Sequence, residues 1–232
     1  MQLLKYIQAQ GLGSRKTCQW LIENDCIEIN GITANQPKSI INPDDVTSLS
    51  VNGKPFTVIP QPYFYILLNK PEHYETSHKP RDYPSVFSLF PEHMRQIGMQ
   101  AVGRLDADTT GVLLITNDGK FNHNMTSPRQ KVTKLYQVTL KHPADQTLCA
   151  LLQEGVLLHD ENETVAAAAA ELSTPTTLLL SITQGKYHQV KRMVAAAGNR
   201  VEKLHRLRFG SWEADKLAPG EWCFIKPDEK LK

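Results

Sequence analysis

Apolar positions along this chain change period several times, and each change marks an expected element. LLKYIQAQ (3–10) puts Leu3, Leu4 and Ile7 on one helical face. GLGSR (11–15) breaks that rhythm with two glycines and offers Ser14 as the N-cap of a second helix, RKTCQWLIEN. CIEING (26–31) alternates and ends in Asn30-Gly31, the signature of a strand entering a hairpin. A turn at Asn42-Pro43-Asp44 and a short strand over residues 45–50 follow. NGKPFTVIPQP (52–62), with three prolines, reads as a linker.

Beyond the linker the pattern becomes α+β. YFYILL (63–68) is an apolar run too short for a helix, so it predicts a buried strand stopped at Asn69-Lys70-Pro71. VLLIT (112–116) predicts another, closed by Asn117-Asp118-Gly119. KLYQVTL (134–140) alternates, and TTLLLSIT (176–183) runs as a strand to Gln184-Gly185. HQVKRMVAAAG (188–198) then predicts a helix closed by Gly198. The alanines at 166–170 leave room for an edge strand before Ser173-Thr174-Pro175.

Composition narrows the class. Lys and Arg number 26 against 24 Asp and Glu, a net charge of +2, so charge alone announces no polyanion partner. Its distribution says more. Residues 1–60 carry five basic and five acidic side chains, whereas residues 181–210 carry seven basic residues and the single acid Glu202. That basic stretch alternates with Val190, Met193, Val194, Leu204 and Phe209, so it belongs to packed elements and makes a folded surface suited to a phosphate backbone. Cys18, Cys26, Cys149 and Cys223 have no paired spacing and are expected as reduced thiols. His78, His123, His188 and His205 have no metal-ligand spacing either. MQLLKYIQAQ lacks the apolar core of a signal peptide, and no apolar run reaches membrane-spanning length. The expectation is a cytoplasmic protein.

The chemistry concentrates in GRLDADTTGVLLITNDG (103–119), where Asp106 and Asp108 lie two residues apart. Three readings compete. Asp-x-Asp-Thr before a glycine is ordinary turn material. Asp106 to Thr110 also satisfies D-x-D-x-T, the magnesium-dependent phosphoryl-transfer motif of the haloacid dehalogenase superfamily. That motif belongs at the end of a strongly apolar strand with further acidic residues downstream. Here MQAVGRL precedes it, and no second acidic cluster appears before Asp160-Glu161. The third reading takes Gly103-Arg104-Leu105-Asp106 with Thr110-Gly111 as the unit, and Asp108 as local scaffolding.

In that third form, GRLDADTTG resembles the catalytic signature G-R-L-D-x-x-[ST]-[ST]-G of pseudouridine synthases of the RsuA/RluA superfamily. LLNKP (67–71), KLYQVTL, GKYHQVKRM (185–193) and LHRLRFG (204–210) agree in order, and GLGSR matches an S4-type RNA-binding module. The resemblance implies an S4-like α/β domain over residues 1–60. Residues 61–232 would then form a catalytic domain with a mixed, mostly antiparallel sheet, flanking helices and a central cleft. The leading module and HQVKRM point to the branch that modifies one uridine of small-subunit ribosomal RNA, free or in a partly assembled particle, and the chain is expected as a monomer.

Converting uridine to pseudouridine breaks the bond from C1′ to N1, turns the uracil and rejoins it through C5. No electrons are exchanged and no phosphate moves, so neither a redox cofactor nor a metal is required. One ionised carboxylate suffices as nucleophile or base, at C1′ or at C6. The resemblance assigns it to Asp106, its basic partner to Lys191, where many relatives carry arginine, and the ring that stacks on the flipped uracil to Tyr136. Lysine supplies a point charge in place of a fork. Arg104 would fill the gap left by the extruded base. Arg15 and Lys16, at the start of the second helix, are expected to contact phosphates. Lys186, His188, Gln189, Arg192, His205 and Arg206 complete the expected RNA contacts. Asp108, Thr110 and Gly111 would form a tight turn that presents Asp106.

Overall fold

The computed structural model describes residues 1–158 and 162–227. Asp160-Glu161 therefore lie outside the described residues. Contacts divide the chain into two units, Met1–Phe64 with Phe87–Gln100, and Tyr65–Val86 with Ala101–Lys232. Residues 87–100, assigned by sequence to the second domain, group with the first.

In the first unit, α1 (Leu3–Ala9) buries Leu3, Leu4, Tyr6 and Ile7, the face its spacing predicts. Ser14 caps α2 (Arg15–Glu23) by accepting from the Thr17 amide at 3.1 Å, and α2 adds Cys18, Leu21 and Ile22 to the same core. Asn30 and Gly31 take positive φ (52° and 77°), joining β1 (Ile27–Ile29) to β2 (Ile32–Thr33) in an antiparallel hairpin. β3 (Leu49–Val51) pairs with β1 and is shorter than expected, because Pro43–Asp45 wind into a 3-10 turn capped by Asn42.

The expected linker is part of the fold. Asn52 and Gly53, again at positive φ, turn the chain into β4 (Lys54–Phe56), which pairs antiparallel with β3. Pro55 is tolerated because β4 is the sheet edge, where a missing N–H breaks no inner ladder. Ile59 is fully buried, and its backbone exchanges two hydrogen bonds with the buried Gln10 amide, at 2.7 and 2.9 Å. The short helix α3 (Glu92–Arg95) belongs to this unit, with the His93 ring 3.9 Å from that of Phe56.

The second unit is built on one mixed sheet. Its strands are β5 (Tyr65–Lys70), β6 (Gln100–Val102), β7 (Thr109–Thr116) and β8 (Lys134–Leu140). They continue with β11 (Ala169–Thr174), β12 (Thr177–Ile182), β13 (Val201–Phe209), β14 (Trp212–Glu213) and β15 (Trp222–Phe224). β9 (Val156–Leu158) and β10 (Glu163–Val165) form a separate hairpin. The main order is β11-β12-β8-β13-β7-β5-β15, with β14 on β13 and β6 on β7. The ladders flanking the centre are antiparallel, and β7–β13, in the middle, is parallel. The alanine-rich stretch enters β11 at Ala169, on the sheet edge. α4 (Gly119–Thr126), α5 (Gln146–Glu154) and α6 (Gln189–Ala196) complete the unit; Asp118 and Asp145 cap the first two. Among the described residues no helix is long and apolar enough to cross a membrane.

One difference bears on the site. Thr110 and Gly111, expected in the turn, begin strand β7. The bend lies earlier, closed by the Thr109 amide donating to the Asp106 carbonyl at 3.1 Å. Thr109, Thr110 and Gly111 then run parallel to Leu204, His205 and Arg206. Gly111 holds φ +103°, and a Cβ there would lie 2.2 Å from the Arg206 carbonyl oxygen. Both the dihedral and the close strand approach exclude a side chain. Gly111→Ala is therefore expected to destabilise the fold by at least about 1–3 kcal/mol, measured as a drop in urea midpoint; an unchanged midpoint would contradict this reading.

Candidate active site

Leu105 is buried, and the loop that follows it is pinned by its backbone. Thr76 Oγ1 donates to the Leu105 carbonyl at 2.8 Å and accepts from the Leu105 amide at 3.3 Å. The His73 amide donates to the Ala107 carbonyl at 2.8 Å. Beneath the bend, the fully buried Lys70 Nζ donates to the carbonyls of Thr109 (2.8 Å), Pro71 (3.0 Å) and Ala107 (3.3 Å). Burial lowers the Lys70 pKa to about 8, against the opposing pull of Asp108, Asp106 and Glu72. The bend is thus clamped by groups from residues 70–76.

On that loop the Asp106 carboxyl is half-buried, with 30% of its side chain exposed. Its Oδ1 lies 3.3 Å from His188 Nε2 and its Oδ2 lies 3.2 Å from Lys191 Nζ. The same ammonium donates to both oxygens of Asp108, at 2.7 and 2.9 Å. Lys191 is therefore shared, with its shorter bonds to Asp108; that residue does more than shape a turn. Burial alone would push the Asp108 carboxyl up, but the Lys191 bonds and charge, with smaller help from the backbone and His188, hold it below its ordinary value. Burial would likewise lower Lys191, yet the two carboxylates raise it above the usual lysine value. The ammonium stays charged over the whole physiological range. His188 reaches Asp106 from a left-handed position (φ 47°) at the head of α6, with its ring 3.8 Å from that of Tyr187.

Asp106 opens into a cavity of about 130 Å³ lined by Leu105, Tyr136, Ile182, Val190 and Leu204 among others. Against the 300–1,000 Å³ typical of drug-sized sites, this is room for a single small ring. Tyr136 is buried and, with Lys191, lines the same cavity. Arg104 stands exposed in a loop and lines the same cavity. Lys186 lines it while ion-paired to Glu163. Gln189 is turned inward: its Oε1 accepts from the Lys186 amide at 3.0 Å, so it serves the loop and not an outer surface. Arg192 donates to the Tyr187 carbonyl at 3.1 Å.

Two of the residues expected to contact RNA are placed differently from a surface phosphate contact. His205 alternates with Leu204 and Arg206 along β13, so it faces away from the cavity and meets Thr110 Oγ1 at 2.8 Å. Arg206 is a buried wall of the cavity, with Nε donating to the Val112 carbonyl at 2.7 Å, and offers no outer phosphate contact. Arg15 and Lys16 are exposed at the start of α2 in the first unit. Lys70, Thr76 and Lys134 carry no expected role from sequence, yet they hold the bend or line the cavity. For Lys134 a signal existed: strict alternation in KLYQVTL puts it on the face of Tyr136.

Residues 64–196 match the family described as RNA pseudouridylate synthase. The chain is 39% identical over 231 residues to the ribosomal small subunit pseudouridine synthase A of Salmonella typhimurium, covering 99% of this chain and 98% of that protein. It is 40% identical over 232 residues to the protein of the same description from Escherichia coli K12, with the same coverage. A solved pseudouridylate synthase structure superposes with a TM-score of 0.68 at 32% identity, over 100% of this chain and 98% of that one.

Lys70→Met would leave buried carbonyls around the bend without their donor, each at a cost of about 1–3 kcal/mol. The variant is expected to melt well below wild type; an equal melting temperature would show that the clamp is dispensable.

Proposed function

The chain belongs to the RNA pseudouridylate synthase family, and from that premise we propose that it isomerises a specific uridine of small-subunit ribosomal RNA to pseudouridine. The observation that carries the reading is that Asp106, Lys191 and Tyr136 line one base-sized cavity. Asp106 acts as nucleophile or base on a nucleotide drawn out of its stack. The Lys191 ammonium, 3.2 Å from Oδ2, pairs with that carboxylate. Tyr136 stacks on the uracil, a contact worth roughly 1–3 kcal/mol that offsets much of the unstacking cost. Arg104, exposed at the rim, occupies the space the base has left.

In the same reading, residues 1–60 are an S4-like RNA-binding module whose Arg15 and Lys16 meet phosphates at the start of α2. Lys186, His188 and Arg192 meet the RNA near the cavity. The chain works as a monomer in the cytoplasm, on ribosomal RNA or a partly assembled particle. The phosphoryl-transfer alternative is set aside by the family match and by position: Asp106 precedes β7 in a loop and does not end an apolar strand. The assembly of all three reacting groups around one cavity likewise favours an enzyme over a silent RNA-binding factor.

Tritium release from [5-³H]uridine-labelled small-subunit RNA tests the proposal. Wild type is expected to release tritium, Asp106→Asn to release none, and Asp108→Asn to retain part of the rate, because Lys191 can still pair with Asp106. Equal loss in both variants would refute the separate roles given to the two carboxylates, and an inactive wild type would refute the function.

A further inference from the structure

The cavity wall holds two cations that the chemistry above does not use. Lys134 on β8 and Arg206 on β13 are 8% and 2% exposed. Arg206 lies directly beside Tyr136 in the β8–β13 register, and Lys134 lies on the Tyr136 face two residues away. The two charges flank one ring: the Arg206 guanidinium is 4.8 Å and the Lys134 ammonium 5.3 Å from the centroid of Phe209. Lys134 donates to the carbonyls of Val132 (2.9 Å) and Thr183 (3.4 Å), leaving one of its three N–H groups without a partner among the described residues. Arg206 donates through Nε to Val112, while its buried Nη2 has no hydrogen-bond partner among the described residues.

Such an arrangement is costly by itself, because buried charge without a counter-charge is strongly disfavoured. Burial, with Arg206 adding to it, lowers the Lys134 pKa to about 8. Among the described residues the sole carboxylate lining the cavity is Asp106, which is engaged by His188 and Lys191. The missing negative charge must therefore come from what enters. Leu105, Ile182, Val190 and Leu204 make the walls apolar, which suits a base and not a phosphate.

The reaction supplies that charge by either route. If Asp106 attacks C1′, the new C1′–O bond forms as the C1′–N1 bond breaks. The N1 electron pair then spreads over the O2 and O4 carbonyls of the detached ring. If Asp106 attacks C6, the C5–C6 π pair moves onto O4 as an enolate. In both cases the ring carries negative charge until C5 joins C1′. In the first route C5 displaces the Asp106 carboxylate from C1′. In the second the C1′–N1 bond breaks as C5 bonds to C1′, and Asp106 then leaves C6 as the C5–C6 double bond re-forms. The C5 proton is lost and N1 takes one up.

We propose that Arg206 and Lys134 bind the carbonyl edge of the inserted uracil and stabilise the negative charge it carries during isomerisation. This rests on the pseudouridine synthase reading and adds two catalytic residues to it. Fixed donors in a dry site, aimed where charge develops, are the strongest form of electrostatic catalysis. The same donors favour uracil over cytosine, which turns an amino group toward that edge.

The test uses the full chain with labelled small-subunit RNA, measuring kcat and KM separately together with melting temperatures. Lys134→Gln keeps hydrogen-bonding capacity but loses the charge; its kcat is expected to fall about 100- to 1000-fold with KM little changed, as for removal of one oxyanion donor. Lys134→Arg should recover most of the rate. Arg206→Lys, which keeps the charge but shifts the donor, should lower kcat and not KM, and it carries the test if Lys134→Gln fails to fold. Variants that retain kcat, or that raise KM alone as a lost phosphate contact would, overturn the proposal while an active wild type leaves the function standing. A wild type that makes no pseudouridine instead removes the reading beneath it.

Discussion

With no exposed surface of its own, the Lys70 ammonium must place its three N–H groups on protein oxygens, and it finds them at Pro71, Ala107 and Thr109. Two of those carbonyls belong to the bend that carries Asp106. The bend therefore has little freedom: the carbonyls of Ala107 and Thr109 are both held by a buried cation. Thr76 and His73 add bonds from the same segment. A reacting carboxylate set on a loop is ordinarily less well fixed than one on a strand or helix. Here the loop gains rigidity from a charge beneath it.

Above the bend a second ammonium acts on the carboxylates themselves. Lys191 lies between Asp106 and Asp108, and arginine's fork is not needed because the second carboxylate completes the coordination. The pair of aspartates thus works as a holder and a held group. Asp108 holds the ammonium by two hydrogen bonds, and the ammonium in turn lies 3.2 Å from Asp106. Neither role requires the two acids to share a proton, so their closeness in sequence is no sign of an acid–base pair.

Charge is distributed in the same spirit. The chain as a whole is close to neutral, with a net charge of +2. Among the described residues its cavity nonetheless sets Arg104, Lys134, Lys186, Lys191 and Arg206 against the single carboxylate of Asp106. A near-neutral total limits non-specific attraction to polyanions, while the local excess suits one negatively charged partner entering one place. Burial of Arg206 and Lys134 makes that excess a property of the cavity wall and not of the outer surface.

Periodicity alone determined most of the scaffold: the Leu3, Leu4 and Ile7 face of α1, the Asn30-Gly31 hairpin, the inward row of KLYQVTL, and the helix over HQVKRMVAAAG. These features depend on spacing within a few residues, which a linear string records directly. The signature around Asp106 was legible for a similar reason, since its residues are contiguous. What sequence could not decide was which distant groups meet. Asn52-Gly53 was a hairpin signal masked by neighbouring prolines, and Thr110 and Gly111 became strand because β13 runs alongside them. His205 and Arg206 looked alike as members of a basic run, yet the pleat sent them to opposite faces. Lys70 finds the Thr109 carbonyl 39 residues away, and Lys191 finds Asp108 across 83. The partner of a buried charge is set by the crossing of strands, because the cost of leaving that charge unpaired is met only in the packed interior.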